Sequence, residues 1–403
     1  MAEWTKKTLG EVTSFITKGI PPKYIENESN NTVQVLNQKC NRNFSISYTE
    51  ARLHNNTAKK VPDKKMLKKG DVLINSTGTG TAGRIAQLWN IPTPTTIDGH
   101  MILLRPTNEI DLLYYGYAIK VHQKKIENLA EGSTGQTEIN RQRLQDEIVI
   151  KYPVSLKTQH KIGQLLLNLD DKIELNNKIN ANLEQQAQAI FKSWFVDFEP
   201  FGGTIPETWF MAKLGDIASI KTTSFSPAKN PDVILEHYSI PAFDKNKYPV
   251  FELAKEVKSN KYILTSKSIM ISKLNPNIKR VWRPMYLTEF AVSSTEFIIF
   301  EANNPIYKDF IYSIIDSVDF MDWMCAHTTG STNSRQRTIP STTLEFKVPI
   351  ACDEIISEFC AIVSPMYDKI SQNICENQKL VKIRDTLLPK LMSGEIDVSD
   401  ITI

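Results

Sequence analysis

The sequence repeats its own pattern after 197 positions, and this internal duplication limits the folds that the chain can adopt. An apolar run rich in β-forming residues, 71–75 (DVLIN), has a counterpart at 268–272 (SIMIS). After a polar loop, each run is followed by another, 101–104 (MILL) in the first half and 297–300 (FIIF) in the second. Short apolar runs bounded by turn residues are typical of buried strands. The sequence therefore predicts two similar domains of mixed α and β structure.

Each half changes to helical periodicity after its last predicted strand. Seam residues advance there by alternating steps of four and three, the spacing of the a and d positions of a coiled coil. Both seams carry two asparagines at the same register: Asn176 and Asn180, then Asn373 and Asn377. A core helix is the alternative for either stripe alone, but the shared polar register favours pairing. We predict an antiparallel helix pair in which the asparagines face one another and penalise slipped registers.

The predicted fold class is α+β, with two similar mixed α/β domains separated by two long helices that form an antiparallel coiled coil with an approximate two-fold relation. The predicted order is a first domain at 1–153, a long helix at 154–198, a second domain at 199–350, a second long helix at 351–396 and a tail at 397–403. Such long helices exceed what one small domain needs to cover its core, and we interpret them as spacers.

The composition is that of an ordinary soluble protein. The sequence has no run of 18 or more apolar residues and no apolar stretch of a secretion signal near its start, so a cytoplasmic location without membrane contact is expected. The 5 cysteines form no CxxC pair and the 6 histidines have no paired-ligand spacing, so no metal site is expected. A net charge of +3 permits nucleic-acid binding without requiring it.

Enzyme motifs are weak or absent. Residues 78–83 match GxGxxG, but residues 84–92 have no helix cap, end in proline and predict a strand, so we interpret the glycines as a flexible loop. The sequence contains no ATP-binding phosphate loop and no Asn-Pro-Pro-aromatic tetrapeptide of an amino-methyltransferase. Acidic and lysine residues at 231–232 and 256–258 have only the loose spacing of a nuclease core. A lone nuclease or methyltransferase, and a purely protein-binding scaffold, remain the rival hypotheses.

Three segments resemble motifs of the specificity subunits of Type I restriction-modification enzymes, and the resemblance covers essentially the whole chain. Residues 188–200 (QAIFKSWFVDFEP) resemble the central conserved region of that family, 387–396 (LLPKLMSGEI) the distal one, and 132–136 (GSTGQ) the motif that closes a target recognition domain. The second half departs from this pattern with GSTNS at 330–334, which puts a direct transfer of loop contacts in doubt there.

The resemblance implies that each half reads one part of a bipartite DNA site. It also implies that the conserved helices set the spacing and dock two methyltransferase subunits, while separate restriction subunits supply translocation and cleavage. The chain itself would then be a non-catalytic subunit without a cofactor, and S-adenosylmethionine, ATP and magnesium would be bound by the partner subunits.

Basic, hydroxyl and amide side chains on the predicted loops are the candidate DNA contacts, because such groups bind phosphates and base edges. For any one of them, a solvated loop side chain is the alternative. The first-half candidates are Lys18, Lys23, Tyr24, Asn37, Gln38, Lys39, Arg42, Asn75, Ser76, Thr77, Thr79, Arg84, Ser133, Thr134 and Gln136. The second-half candidates are Lys221, Thr222, Thr223, Ser272, Lys273, Asn275, Lys279, Arg280, Ser331, Thr332, Asn333, Arg335, Gln336 and Arg337. Because the two sets differ, we expect an asymmetric target with an unread gap.

Three aromatic residues lie at the end of the first predicted long helix. Trp194, Phe195 and Phe198 would either form a docking patch for a methyltransferase subunit or pack the helix end onto the next domain. The sequence leaves both alternatives open.

Overall fold

The computed structural model describes residues 3–131, 137–329, 336–398 and 401. The chain divides into two compact units: residues 1–172 with 380–403, and residues 173–379. Each unit contains one globular domain together with a part of each of two long helices. The fold class is α+β, as predicted.

The first unit is built from short strands and three short helices, followed by the first long helix. Its described strands are β1 (Trp4–Thr8), β2 (Thr13–Lys18), β3 (Tyr24–Ile25), β4 (Thr32–Leu36), β5 (Asn41–Arg42), β6 (Ser45–Ile46), β7 (Arg52–Asn55), β8 (Val72–Asn75), β9 (Ile85–Gln87), β10 (Thr95–Ile97), β11 (Met101–Pro106), β12 (Ala130–Glu131), β13 (Glu138–Ile139) and β14 (Val149–Pro153). The helices are α1 (Leu112–Lys120), α2 (Gln123–Glu127), α3 (Arg141–Glu147) and the long α4 (Leu156–Phe195), which continues into the second unit.

The second unit repeats this organisation. Its described strands are β15 (Phe210–Lys213), β16 (Ala218–Lys221), β17 (Ser224–Phe225), β18 (Ile234–Tyr238), β19 (Val250–Leu253), β20 (Lys261–Ile263), β21 (Ile269–Ser272), β22 (Val281–Trp282), β23 (Ala291–Ser293), β24 (Phe297–Ala302), β25 (Thr328–Thr329), β26 (Arg337–Thr338) and β27 (Lys347–Ile350). The helices are α5 (Leu214–Ile217), α6 (Ile240–Asn246), α7 (Lys308–Ile315), α8 (Val318–Ala326), α9 (Pro340–Thr343) and the long α10 (Asp353–Ser393), which continues into the first unit.

The central sheets of the two units correspond strand by strand, whereas the second sheets have four and five strands in different orders. The central sheet has the order β2-β11-β8-β9 in the first unit and β16-β24-β21-β22 in the second. Each unit has a second sheet with one parallel pair, β4 with β10 and β18 with β23, and an antiparallel pair that joins its first and last strands, β1 with β14 and β15 with β27. The duplication predicted from the sequence is therefore present in the fold.

The central sheet of the first unit is buried on both faces. On one face, Val72 and Ile74 of β8 belong to a core that includes Tyr114 of α1 and Ile162 of α4. On the other face, Leu73 belongs to a separate core. Neighbouring side chains of a strand point to opposite faces, so a strand covered on both sides reads as a continuous apolar run. This explains the run at 71–75, which forms β8 as predicted.

The second unit is built in the same way. Ile269 and Ile271 of β21 pack in a core with residues of α4, α7 and α10, whereas Met270 faces a core that contains Tyr238 and Trp282. The predicted strand at 268–272 is therefore confirmed as β21. In the first unit, the GxGxxG segment is followed by strand β9 and not by a helix, again as predicted. No helix in the described part of the chain is both long and apolar enough to cross a membrane.

Within the second unit, the long helices run antiparallel and four asparagines pair across their interface. Nδ2 of Asn176 donates to Oδ1 of Asn377 at 2.9 Å, and Nδ2 of Asn373 donates to Oδ1 of Asn180 at 2.8 Å. All four side chains are buried. The predicted asparagine pairing is confirmed for this part of the two helices.

The long helices also complete the first unit. Leu388, Leu391 and Met392 of α10 are buried in the same core as Ile162 and Leu166 of α4. The first globular domain therefore depends on residues from both ends of the sequence for its core.

Substituting Asn176 with alanine should destabilise the protein by roughly 1–3 kcal/mol, because Oδ1 of the buried Asn377 loses the hydrogen bond that Asn176 donates. Asn182→Ala is the matched control, since Asn182 lies on the same helix but is exposed. Urea unfolding of the two variants tests this expectation. Equal midpoints for N176A and N182A would show that the asparagine pair does not hold the helices.

Gly163 lies inside α4, where glycine usually costs about 1 kcal/mol relative to alanine. A Cβ atom at this position would lie 2.6 Å from Cβ of Leu113 and 3.0 Å from N of Tyr114. The close approach of α1 therefore requires glycine. We expect Gly163→Ala to destabilise the protein by about 1–3 kcal/mol in thermal or urea unfolding, because the added methyl group would clash with α1. This loss should outweigh the higher helix propensity of alanine. Asn168 is an exposed residue of the same helix, and Asn168→Ala should change the free energy of unfolding by no more than about 0.5 kcal/mol. A more stable G163A would contradict the steric argument.

Candidate nucleic-acid interface

In the first unit, the loop after β8 lies against the short hairpin of β12 and β13. Ile139 donates its backbone N–H to the carbonyl of Ser76 at 2.8 Å, and Thr77 forms an isolated bridge with Glu138. Lys18, at the end of β2, forms an ion pair with Glu138. We call the surface formed by Lys18, Thr77 and Glu138 the first face. It brings together two sequence-predicted candidates, Lys18 and Thr77, that lie far apart in the sequence.

An open cleft of about 730 Å³ adjoins the first face and carries mostly polar side chains. Its lining residues are Ile16, Lys18, Glu131, Glu138, Ile139, Asn140, Arg141, Gln142 and Gln145. Sequence reasoning missed Asn140, Arg141, Gln142 and Gln145, although they follow closely after the 132–136 motif. Asn140 caps α3, since its Oδ1 accepts from the backbone N–H of Gln142 at 2.8 Å and of Arg143 at 3.3 Å.

The second unit has an equivalent surface built on the same backbone pattern. Thr338 donates its N–H to the carbonyl of Lys273 at 3.0 Å, Asn275 donates to the carbonyl of Gln336 at 2.9 Å, and Leu274 forms a bridge with Arg337. We call Lys273, Asn275, Gln336 and Arg337 the second face. All four were predicted from the sequence as candidates, and the structure brings them together.

Strand register shows which positions of the two faces correspond. Met101 of β11 and Phe297 of β24 correspond, because they pair with the equivalent residues Asn75 and Ser272. Lys221, which pairs with Ile299, therefore corresponds to Thr17, which pairs with Leu103, and Lys18 is the next residue of its strand. The two isolated bridges make Glu138 and Arg337 equivalent in the same way. One face thus carries a carboxylate where the other carries a guanidinium.

The second face contains an arginine held by a carboxylate. Arg337 donates from Nε and from Nη2 to the two carboxylate oxygens of Glu296, each at 3.0 Å. The hydrogen bonds from Arg337 lower the pKa of the Glu296 carboxyl below its usual range. Sequence reasoning missed Glu296, whose only signal is its position directly before the apolar run at 297–300.

Four sequence-predicted candidates are buried and hold the loops in place, so their prediction as DNA contacts is corrected. Asn75 accepts a hydrogen bond from Asn41 at 3.1 Å and donates to the carbonyl of Gln38 at 3.1 Å. Arg280 donates from Nε and Nη2 to Asp244 at 2.7 and 2.9 Å. The other two are Ser76, which is fully buried, and Ser272, whose hydroxyl bonds to the backbone of Leu274.

Several other candidates are tied to nearby groups. Gln38 donates to Oγ1 of Thr77 at 2.8 Å, which places it beside the first face. Arg84 donates to the carbonyl of Gly80 at 3.0 Å, and Lys279 forms an ion pair of 2.8 Å with Asp316. The side chain of Asn37 caps the short 3₁₀ turn that follows it.

The remaining described candidates are exposed side chains. Tyr24 lies on β3 of the second sheet, with the guanidinium of Arg52 at 3.4 Å from its ring centre. The others are Lys23, Lys39, Arg42, Thr79, Lys221, Thr222 and Thr223. Ser133, Thr134, Gln136, Ser331, Thr332, Asn333 and Arg335 lie outside the described residues.

The three aromatics at the end of α4 pack onto the second domain. Phe195 is buried, with its ring centre 4.7 Å from Phe310 and 5.1 Å from Phe359. Phe198 packs edge-on against Trp209, and Trp194 contacts Phe359. The packing alternative for Trp194, Phe195 and Phe198 is therefore confirmed, and docking through the half-buried Trp194 and Phe198 stays a prediction.

Comparisons with known proteins agree with the resemblance seen in the sequence. Residues 1–185 match the family model described as the Type I restriction modification DNA specificity domain. The chain is 26% identical to the Type I restriction enzyme MjaIX specificity subunit of Methanocaldococcus jannaschii, over 99% of this chain and 95% of the relative. The chain is thus similar to a Type I specificity subunit over nearly its whole length.

One further relative has a similar name, and one solved structure has the same fold. The chain is 24% identical to the Type I restriction enzyme HindI specificity subunit of Haemophilus influenzae, over 98% of this chain and the whole of that protein. The crystal structure of a Type I S subunit from M. genitalium, 19% identical, has the same fold with a TM-score of 0.61 over 97% of this chain and 96% of that chain. The names of both relatives describe specificity subunits of Type I restriction enzymes, the family that the sequence resembles.

Arg141 is an exposed residue of the cleft, and its guanidinium has no carboxylate partner in the described part of the chain. An unpaired cation of this kind is suited to a phosphate, so Arg141→Ala should weaken binding of all duplexes alike. We expect the slope of log K against log salt to fall in magnitude by about one. Fluorescence anisotropy of this protein with labelled duplexes at several salt concentrations measures this slope.

The control for this experiment is Lys124→Ala, which removes an exposed cation of α2 that does not line the cleft. K124A should leave both the affinity and the salt slope unchanged. A change in sequence preference in R141A, with the salt slope unaltered, would contradict the assignment to phosphate.

Proposed function

We propose that this specificity subunit recognises an asymmetric, bipartite DNA sequence, one part with each unit. The observation that carries the proposal is the pair of equivalent faces on a common backbone frame with different side chains. Base edges are distinguished by their patterns of hydrogen-bond donors and acceptors. At equivalent positions, the first face has Glu138 beside Thr77, whereas the second face has Arg337 beside Leu274, so the two faces are expected to prefer different bases.

The proposal includes an unread gap of fixed length between the two parts of the target. Its support is the pairing of Asn176 with Asn377 and of Asn373 with Asn180. These buried amides resist sliding of one long helix along the other, because a slipped register leaves them unpaired.

The proposal assigns all chemistry to partner subunits. Two methyltransferase subunits would bind S-adenosylmethionine and methylate the target, and restriction subunits would use ATP and magnesium for translocation and cleavage. This chain would dock these subunits and supply the sequence preference. Its support is the similarity to two Type I specificity subunits, which match this chain over 95% and 100% of their own length.

An exchange of residues 1–153 for the corresponding domain of another specificity subunit tests whether each unit recognises one part of the target. The methylated motif of cells that carry the chimera and its partner methyltransferase should change in one half only. An exchange of residues 199–350 serves as the reciprocal control and should change the other half. Long-read methylome sequencing reports both motifs. A change of both halves in either chimera would contradict the proposal.

Gel shifts with random duplexes distinguish this function from its rivals. The favoured function gives sequence-selective complexes in the presence of the methyltransferase subunit. Cleavage or methyl transfer by the lone chain would show an enzyme instead. The absence of any selective complex would show a protein-binding scaffold.

A further inference from the structure

Arg337 of the second face has a backbone that is fixed by its neighbours. Its backbone is held on both sides: Thr329 of β25 pairs with it, and Leu274 forms a bridge with it. The next residue, Thr338, is buried, and its hydroxyl donates to the carbonyl of Met324 at 3.1 Å. A side chain that distinguishes bases must start from such a fixed position, since small displacements remove its hydrogen bonds.

Glu296 occupies one edge of the Arg337 guanidinium and leaves the other edge open. The bonds from Nε and Nη2 to the carboxylate fix the plane of the guanidinium. In the described part of the chain, Nη1 has no hydrogen-bond partner, and the Arg337 side chain is 43% exposed. The open edge, formed by Nη1 and the second hydrogen of Nη2, therefore presents two parallel N–H groups.

Two parallel N–H donors match the edge of guanine in the major groove, where O6 and N7 are adjacent acceptors. A phosphate is a poorer match, because the Glu296 carboxylate cancels the charge of Arg337 and would repel the phosphate. Binding a guanine keeps the ion pair intact, whereas attraction to a phosphate is strongest after the pair has broken.

We propose that Arg337 reads a guanine in the part of the target that the second unit recognises, with Glu296 as its positioning residue. This inference rests on the proposed function. It applies to one part of the target only, since the equivalent position in the first unit is Glu138, which carries no donor for guanine O6 and N7.

The test measures the preference at each position of the target for the complex of specificity and methyltransferase subunits. Competition binding compares the wild-type motif with every single base-pair replacement. The exchange of residues 199–350 identifies which positions belong to the second unit. Arg337→Ala should reduce the preference for one G·C pair over its replacements by about ten- to hundredfold. The preferences in the other half of the motif should stay unchanged. Arg337→Lys, which keeps the charge but not the fork, should lose most of the same discrimination.

Glu296→Gln tests the positioning role separately. It should reduce discrimination at the same G·C pair and increase the salt dependence of binding, because the released guanidinium can then reach a phosphate. The control is Lys213→Ala, which removes an exposed lysine that pairs with Glu345 in the same unit and should change neither quantity.

The possible failures are distinguishable. If wild-type complexes show no sequence preference, the proposed function fails and this inference fails with it. If the wild-type motif is selective but contains no guanine in the second half, or if R337A weakens all sequences equally, only the inference is overturned. Thermal unfolding of R337A and E296Q confirms that a loss of discrimination occurs in a folded protein.

Discussion

Two hydrogen bonds between asparagines, Asn176 with Asn377 and Asn373 with Asn180, determine how the long helices pair in the second unit. An apolar seam alone would tolerate shifts by one or two helical turns, since leucine and isoleucine pack similarly at each register. Buried amides do not tolerate such shifts, because each unpaired amide costs roughly 1–3 kcal/mol. The helix pair is therefore less stable than one with an entirely apolar seam, but it has a single alignment.

The central sheets show why two faces can share a frame and differ in chemistry. Strands β8 and β21 are buried on both faces, and all their residues except the last ones, Asn75 and Ser272, are apolar. The loops that follow them are held mainly by backbone hydrogen bonds, such as those to the carbonyls of Ser76 and Lys273. Backbone bonds place few demands on side chains. The same position can therefore carry Glu138 in one unit and Arg337 in the other without a change of fold.

The sequence predicted the strands, the long helices and the asparagine pairing correctly, because these features depend on periodicity within short segments. It predicted the outline of the second face, since Lys273, Asn275, Gln336 and Arg337 lie in polar clusters. It could not separate exposed from buried loop residues. Asn75 is buried by a partner 34 positions away and Arg280 by one 36 positions away. Glu296 and Arg141 were missed because an isolated charged residue carries no signal until a neighbour is known.

The first unit is interrupted in the sequence by the whole of the second, and this order constrains how the chain can fold during synthesis. Residues 173–379 form one continuous segment, whereas Leu388, Leu391 and Met392 belong to the core of the domain that was synthesised first. The core of the first domain is therefore incomplete until the last part of α10 has been synthesised. A chain cut short before these residues would carry one finished domain and one unfinished domain, a product that proteases can recognise and remove.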